Sequence, residues 1–527
     1  MHALTNNKKA AELGRIVRTR SGQVRGQARD AGGVLAFKGI PYAAPPVGPL
    51  RWRAPQAALP WHDVRDASTF GAGCLSSLAN DPRPGPRSED CLTLNVWTAA
   101  TTADEKRPVM AWIHGGGFQF GSAANPATDG RLLAAKGVVV VSFNYRLGIL
   151  GFLAHPDLDT DAPSGNYGLQ DQLAALRWIR ANIAAFGGNP DNVTLFGESA
   201  GAMAVGILMA SPLAHGLFHK AIGQSGAFWD SRHGPLQGFD EARARGLTFA
   251  HRQGHASTAA LRALPAEQLI AAAPWSFARD HVTEAFSPSI DRHLIPDAPP
   301  RRFLHGEQMQ TPLLAGWNGA EGFPFMARSL PAQSAQAFRA AAEAMFGPAR
   351  IADFLKLYPA GTDAEAGASA AALTGDMVIS EQCWQWLRLH AAGRAPTYGY
   401  HFNHTSPYTP VASHVTEIPF VFGTLTPQQI VGSAAPPAEE DRALSRTMMD
   451  YWINFARRGN PNGPGLPFWP AHDETDMVQI LGAAIEPRKT PQADRFAFLG
   501  GFRENGVLPM RWRKVRQTPA AIRSPPE

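Results

Sequence analysis

The sequence predicts an α/β protein built on a large, mostly parallel central sheet with helices on both faces. Three observations carry that expectation. Short apolar runs rich in β-formers alternate along the chain with longer segments of helical spacing. One of those runs, Val138-Val-Val-Val141, is apolar at every residue, as a strand buried on both faces must be. Val193-Thr-Leu-Phe196 leads through Gly197-Glu-Ser-Ala-Gly201 into an Ala-rich apolar run to Met209, which reads as a strand turning sharply into a helix.

In chain order, residues 16–19 and 23–26 flank Ser21-Gly22 and predict a β-hairpin. Residues 34–37 read as a strand, and the Pro-rich stretch 42–49 as irregular chain. Residues 92–97 alternate as a strand does, and 109–113 form an apolar strand ending at His114-Gly-Gly-Gly117. The valine run lies in a strand at 137–144. From 169 to 185, Leu169, Leu173, Leu176, Ile179 and Ile183 recur at helical spacing, and Phe186-Gly-Gly-Asn-Pro190 is a strong stop. After the Ser199 strand and helix comes a short strand at 221–224, then an Ala-rich helical stretch at 236–275. Residues 312–316 and 397–402 read as strands, and 443–457 as a helix closed by Gly459-Asn-Pro461. No repeat or long linker interrupts this pattern. The expectation is one domain over 1–527, with helical insertions after the Ser199 region and irregular termini at 1–14 and 511–527.

The 527 residues are 44% apolar, enough for a large core, and carry a net charge of +5, which is mild for this length. The one basic cluster, at 511–516, lies in a Pro-containing tail and reads as solvated chain, so no nucleic-acid partner is expected. No stretch approaches ~18 consecutive apolar residues, so no membrane span is expected. No apolar core follows Met1, so no secretory signal is visible and a cytoplasmic protein is expected, or a periplasmic or secreted one if the start is truncated. The three cysteines, Cys74, Cys91 and Cys383, are too few for a disulfide scaffold or a four-thiolate zinc site, and no metal is expected.

The chemistry centres on Ser199. The strand–turn–helix places its hydroxyl at a strand's carboxyl end, beside a helix N-terminus that favours developing negative charge. A serine hydroxyl is a poor nucleophile until a positioned base takes its proton, and that base is normally a histidine oriented by a carboxylate. In the fold that uses this turn the order along the chain is serine, acid, histidine. His114-Gly-Gly-Gly117 can turn backbone N–H groups toward a substrate oxyanion. With 17 histidines, spacing alone does not select the base.

At this point the chain resembles the type-B carboxylesterases of the esterase/lipase/cholinesterase group, near the bacterial para-nitrobenzyl esterases. The resemblance runs from about residue 17 to 481. It rests on Phe37-Lys-Gly-Ile-Pro-Tyr-Ala43, Pro46-Val-Gly-Pro-Leu-Arg51, Ser88-Glu-Asp-Cys-Leu-Thr-Leu-Asn-Val-Trp97, Asn144-Tyr-Arg-Leu-Gly148, Gly165-Asn-Tyr-Gly-Leu-Gln-Asp-Gln172 and the run from Asn182 to Gly201. It implies the α/β-hydrolase fold and ester hydrolysis through an acyl-enzyme on Ser199, with no cofactor. The family's acid motif matches Gly316-Trp-Asn-Gly-Ala-Glu321-Gly-Phe-Pro-Phe325, and its base motif matches His414-Val-Thr-Glu-Ile-Pro-Phe-Val-Phe422. The resemblance therefore implies a Ser199, Glu321, His414 triad. It also implies oxyanion donors at Gly116, Gly117 and Ala200, supporting roles for Glu198, Ser225 and Glu417, and a disulfide between Cys74 and Cys91.

A small-molecule ester of short to medium length is the expected substrate. The alternatives are a lipase, or an amidase or carbamate hydrolase, on the same residues. A non-catalytic binding protein of cholinesterase type is disfavoured because all three triad residues stand. Phe118, Phe120, Phe228, Trp229, Trp275 and Phe286 lie near motif loops, where some could line the pocket while most belong to the core. The loop 75–90 holds no Trp, Tyr or Phe and carries Arg83 and Arg87, which disfavours a quaternary ammonium substrate.

Overall fold

The computed structural model describes residues 12–78, 85–160, 162–227, 236–255, 257–275, 285–322, 334–427 and 433–501. The expected irregular terminus at 511–527, most of the one at 1–14, and Phe228 and Trp229 lie outside these residues.

Among the described residues a ten-stranded sheet forms the spine. Its strands are β1 (Leu35–Pro41), β2 (Thr93–Thr98), β3 (Arg107–Ile113), β4 (Val139–Phe143), β5 (Gly188–Glu198), β6 (Lys220–Gln224), β7 (Leu313–Asn318), β8 (Thr397–Phe402), β9 (Met477–Leu481) and β10 (Ile485–Lys489). Across the sheet they run 1-2-4-3-5-6-7-8-9-10. The pairs from β4 through β9 are parallel, while β1 with β2, β2 with β4 and β9 with β10 are antiparallel. This is the α/β-hydrolase fold. A separate antiparallel pair, Ile16–Arg18 with Gln23–Arg25, forms the N-terminal hairpin.

The valine run shows why the sheet sits where it does. All five residues of β4 are buried. Val139, Val141 and Phe143 enter one core cluster and Val140 the other, so alternate side chains feed the two faces. The first cluster is closed by helices α1 (Tyr167–Asn182), α2 (Ala200–Met209) and α4 (Glu381–Ala391), the second by α5 (Glu439–Arg458). A third, smaller core gathers Phe338, Phe346, Phe354, Tyr358 and Phe498 against helix α3 (Asp363–Gly375). Among the described residues no helix is long and apolar enough to cross a membrane.

Three local details refine the sequence expectation. The helix expected at 169–185 runs Tyr167–Asn182 and tightens into a 3₁₀ turn, Ile183–Phe186. The expected stop at Phe186-Gly-Gly-Asn-Pro190 holds, the turn ending at Phe186 with Gly187 as its left-handed cap, but β5 begins at once at Gly188, and Pro190 falls in the stretch where its pairing with β3 shifts register. The β9–β10 pair was not read from sequence. It is an edge hairpin whose outer strand, Ile-Glu-Pro-Arg-Lys, has no apolar alternation because its residues are half-buried or exposed.

Candidate active site

β5 ends at Glu198 and α2 begins at Ala200, so Ser199 makes the turn alone, at φ 55° and ψ −124°. A non-glycine residue held there is strained, and the surroundings must over-determine it. Its N–H donates to the Gln224 carbonyl at 2.9 Å, and its own carbonyl accepts from Met203 N–H at 2.9 Å. The flanking glycines make the turn possible. A Cβ at Gly201 would overlap the Ile113 carbonyl oxygen, and one at Gly197 would stand 2.6 Å from the Gly201 carbonyl carbon.

Glu321 follows β7 and His414 follows β8. The two loops are tied together by backbone, Ala320 N–H donating to Ala412 O at 2.8 Å. His414 Nδ1–H donates to Glu321 Oε2 at 2.7 Å, and His414 Nε2 accepts from the Ser199 hydroxyl at 2.9 Å. The carboxylate on the Nδ1 side sets that tautomer. The other oxygen of Glu321 accepts from Asn318 N–H at 2.6 Å, which fixes the carboxylate plane. All three side chains stand at the carboxyl ends of their strands, where ligands bind in open α/β sheets.

Two further carboxyl groups crowd His414. Glu198 Oε1 lies 3.2 Å from His414 Nε2. Burial pushes Glu198 well above the usual carboxylate range, helped by Glu417 and Glu321 and opposed by His414. Glu417 accepts from Gln224 Nε2 at 3.0 Å and Asn318 Nδ2 at 2.6 Å, but burial still raises it. Burial pushes His414 down, yet Glu198, Glu321 and Glu417 outweigh that and hold it up at about 9. Ser225 is fully buried at φ 51°. Its N–H donates to Gly316 O at 2.8 Å, but its hydroxyl has no partner among the described residues and so makes no bond to the triad.

The glycine loop after β3 is wound tightly. Gly116 and Gly117 take φ 110° and 60°, and the Gly116 carbonyl accepts from both Gln119 and Phe120 N–H, at 2.9 and 3.0 Å. Phe118 O accepts from Gly148 N–H at 2.8 Å, anchoring the loop to the segment after β4. Among the described residues nothing accepts from the N–H of Gly116, Gly117 or Ala200, so all three remain available to a substrate oxygen.

Cys74 and Cys91 are bonded, with Cα atoms 5.0 Å apart. The segment just after Cys74 reaches the glycine loop: Ser77 N–H donates to Gln119 O and Ser77 O accepts from Trp275 N–H, both at 3.0 Å. The Trp275 ring lies 5.4 Å from that of Phe120 and would be 3.6 Å from a Cβ on Gly117. Phe118 is core, edge-on to Tyr145 and Phe152, and Phe286 packs on Phe249. Sequence reasoning gave no role to Asn318, Gln224 or Trp452. Asn318 stands inside the acid motif, two residues after Gly316, and Gln224 immediately precedes Ser225, so both lay within stretches already singled out. Trp452 Nε1–H donates to Gln224 Oε1 at 3.1 Å from a distant helix, which no local pattern signals.

A model of the carboxylesterase family matches residues 14–499. The chain is 38% identical over 479 residues to a fumonisin B1 esterase of Sphingopyxis macrogoltabida, covering 89% of this chain and 86% of that one. It is 37% identical over 498 residues to the para-nitrobenzyl esterase of Bacillus subtilis (strain 168), covering 91% and 97%. A solved PNB esterase superposes with a TM-score of 0.78 at 35% identity, covering 92% of this chain and 99% of that one.

Proposed function

The chain belongs to the carboxylesterase family and is a carboxylic ester hydrolase, and we propose that it works as a serine esterase through an acyl-enzyme on Ser199. The observation that carries this reading is the unbroken line from Glu321 through His414 to Ser199, with bonds of 2.7 and 2.9 Å ending on a strained turn. His414 Nε2 takes the Ser199 proton as Oγ attacks the ester carbonyl. The carbonyl oxygen gathers negative charge against the N–H groups of Gly116, Gly117 and Ala200, and each such donor is worth roughly 10²–10³ in rate. The tetrahedral species collapses, and the alcohol leaves with the proton from His414. A water then gives a proton to His414 as it attacks the acyl-enzyme, and His414 returns that proton to Ser199 Oγ as the acid leaves. Every proton movement uses a group of the chain itself.

We read the substrate as a small, uncharged ester of short to medium length and the chain as one catalytic domain. The family match over 14–499 supports the latter. An organophosphate should add one covalent mass to the peptide containing Ser199. p-Nitrophenyl esters of increasing acyl length should be hydrolysed by the native protein, and Ser199→Ala should lose several orders of magnitude in kcat. A label mapped elsewhere, or full turnover by Ser199→Ala, would overturn the reading.

A further inference from the structure

Behind the carboxylate of Glu321 lies a cavity of about 160 Å³. Its walls come from the Trp317–Gly322 segment, from α3 and the turn after it, and from His401, Gln492 and Arg495. None of Ser199, His414, Gly116 or Gly117 lines it, so it is separate from the place where an ester would react. Its mouth is exposed at Ala368 and Gln492.

Three polar side chains lining this space have unspent hydrogen-bonding capacity. Asn318 is 1% exposed, and its Oδ1 has no partner among the described residues. That orientation is not interchangeable, because Nδ2 already donates to Ser413 O at 2.7 Å and Glu417 Oε2 at 2.6 Å. His401 is 4% exposed, and its Nδ1 likewise has no partner. Burial holds His401 down at about 4, so the ring is neutral and can accept. Asp376 opens the one π-turn among the described residues, Asp376–Ser380. Its Oδ2 accepts from the Tyr358 hydroxyl at 2.8 Å and faces Arg495 Nη1 at 3.6 Å, while Oδ1 has no bonded partner among the described residues. Buried polar atoms left unpaired are costly, and a native fold keeps them where something else completes them.

The charges select what that is. Glu321 and Asp376 line the space, burial holds Asp376 up at about 6 with Glu381 and Glu321 adding to it, and Arg495 is the one cation among the described lining residues. An anion is disfavoured. Among the described residues no group of three or more His, Cys, Asp or Glu is arranged to hold a metal ion. The volume is several times what one water needs, and the acceptors suit a flat molecule with several N–H donors. We propose that this cavity binds a compact organic cation of the amidinium or guanidinium type, held by Asp376, Asn318 and His401. Such a cation sits across Glu321 from His414. It opposes the imidazolium that forms during acylation and slows the chemical step without blocking the substrate.

The test titrates the native protein with methylguanidinium chloride at constant ionic strength and well below denaturing concentration. Binding is read by calorimetry, which does not depend on the role of Ser199, and kcat and KM on p-nitrophenyl acetate are read in parallel. The expected result is saturable binding at one site, with kcat falling roughly two- to tenfold and KM unchanged. Asp376→Asn should weaken binding about tenfold or more. Ala368→Phe, which fills the mouth from an exposed helical position, should abolish binding while leaving basal kcat intact. Binding undiminished in both variants, a rise in KM in place of the fall in kcat, or no saturable heat would overturn the proposal. So would a soaked crystal showing only waters in the cavity.

Discussion

Replacing Glu321 by Gln isolates what the carboxylate does for the base. The side chain keeps its size, and its Oε1 can still accept from Asn318 N–H at 2.6 Å. What is lost is a charge 2.7 Å from His414 Nδ1. At an effective dielectric of 20 a carboxylate and an imidazolium at that distance attract by about 6 kcal/mol. The attraction acts on the imidazolium, the form His414 takes when it accepts the Ser199 proton, so its loss falls on the chemical step more than on substrate affinity. At 1.36 kcal/mol per decade it corresponds to about four decades of rate. A Gln amide turned toward Nδ1 also favours the tautomer with the proton on Nε2, which cannot accept from Ser199, and a comparable replacement in a serine triad costs about 10⁴ in kcat. Glu198, 3.2 Å from Nε2, remains to soften the loss. The expected result for Glu321→Gln is a fall of roughly 10³–10⁴ in kcat on p-nitrophenyl acetate, with KM changed by no more than a few-fold. The acidic limb of the kcat/KM profile reports the free base. Glu321 is one of the carboxylates holding His414 up at about 9, so its removal moves that limb to lower pH. A loss below tenfold, or a limb that moves up, would refute the reasoning.

Three other outcomes follow from the same structure. Asp171→Asn should destabilise the fold by about 3–5 kcal/mol in urea unfolding, because Asp171 accepts three bonds from Arg146 at 2.7–3.0 Å and both side chains are almost fully buried. Replacing Cys74 and Cys91 together by alanine opens a link spanning 17 residues, and the expected loss is about 3 kcal/mol; a midpoint unchanged from the disulfide-bonded protein would contradict it. With butyrylthiocholine set against an uncharged thioester of similar length, the neutral ester should give the higher kcat/KM, and a tenfold preference for the cation would overturn that expectation.

Much of the sheet was legible because burial on both faces leaves a local mark. The four valines at 138–141 could belong to little else, and the Gly-flanked Ser199 announces a turn whose crowding only glycine relieves. The exposed β10 carries no such mark, and neither does the π-turn at Asp376–Ser380. The partners of Ser199 were hidden for another reason. His414 lies 215 residues from Ser199 and 93 from Glu321, far beyond any periodicity, so only the resemblance of two short motifs pointed to them. The supporting polar network was less visible still. Asn318 serves Glu321 through its backbone N–H and Glu417 through its side chain, two roles that one letter of sequence cannot separate.

That network accounts for an arrangement that would otherwise be unstable. Three acidic side chains, each at most 2% exposed, surround one imidazole, and charge on all of them would cost far more than a single histidine could return. The structure resolves this by supplying donors unequally. Glu321 receives the His414 Nδ1–H and the Asn318 backbone N–H. Glu417 receives two neutral amide groups, and the Gln224 amide among them is held in orientation by Trp452. Glu198 Oε1 only approaches His414 Nε2, at 3.2 Å, and has no hydrogen-bond partner among the described residues. Burial therefore acts on Glu198 with little opposition and pushes it well above the usual carboxylate range.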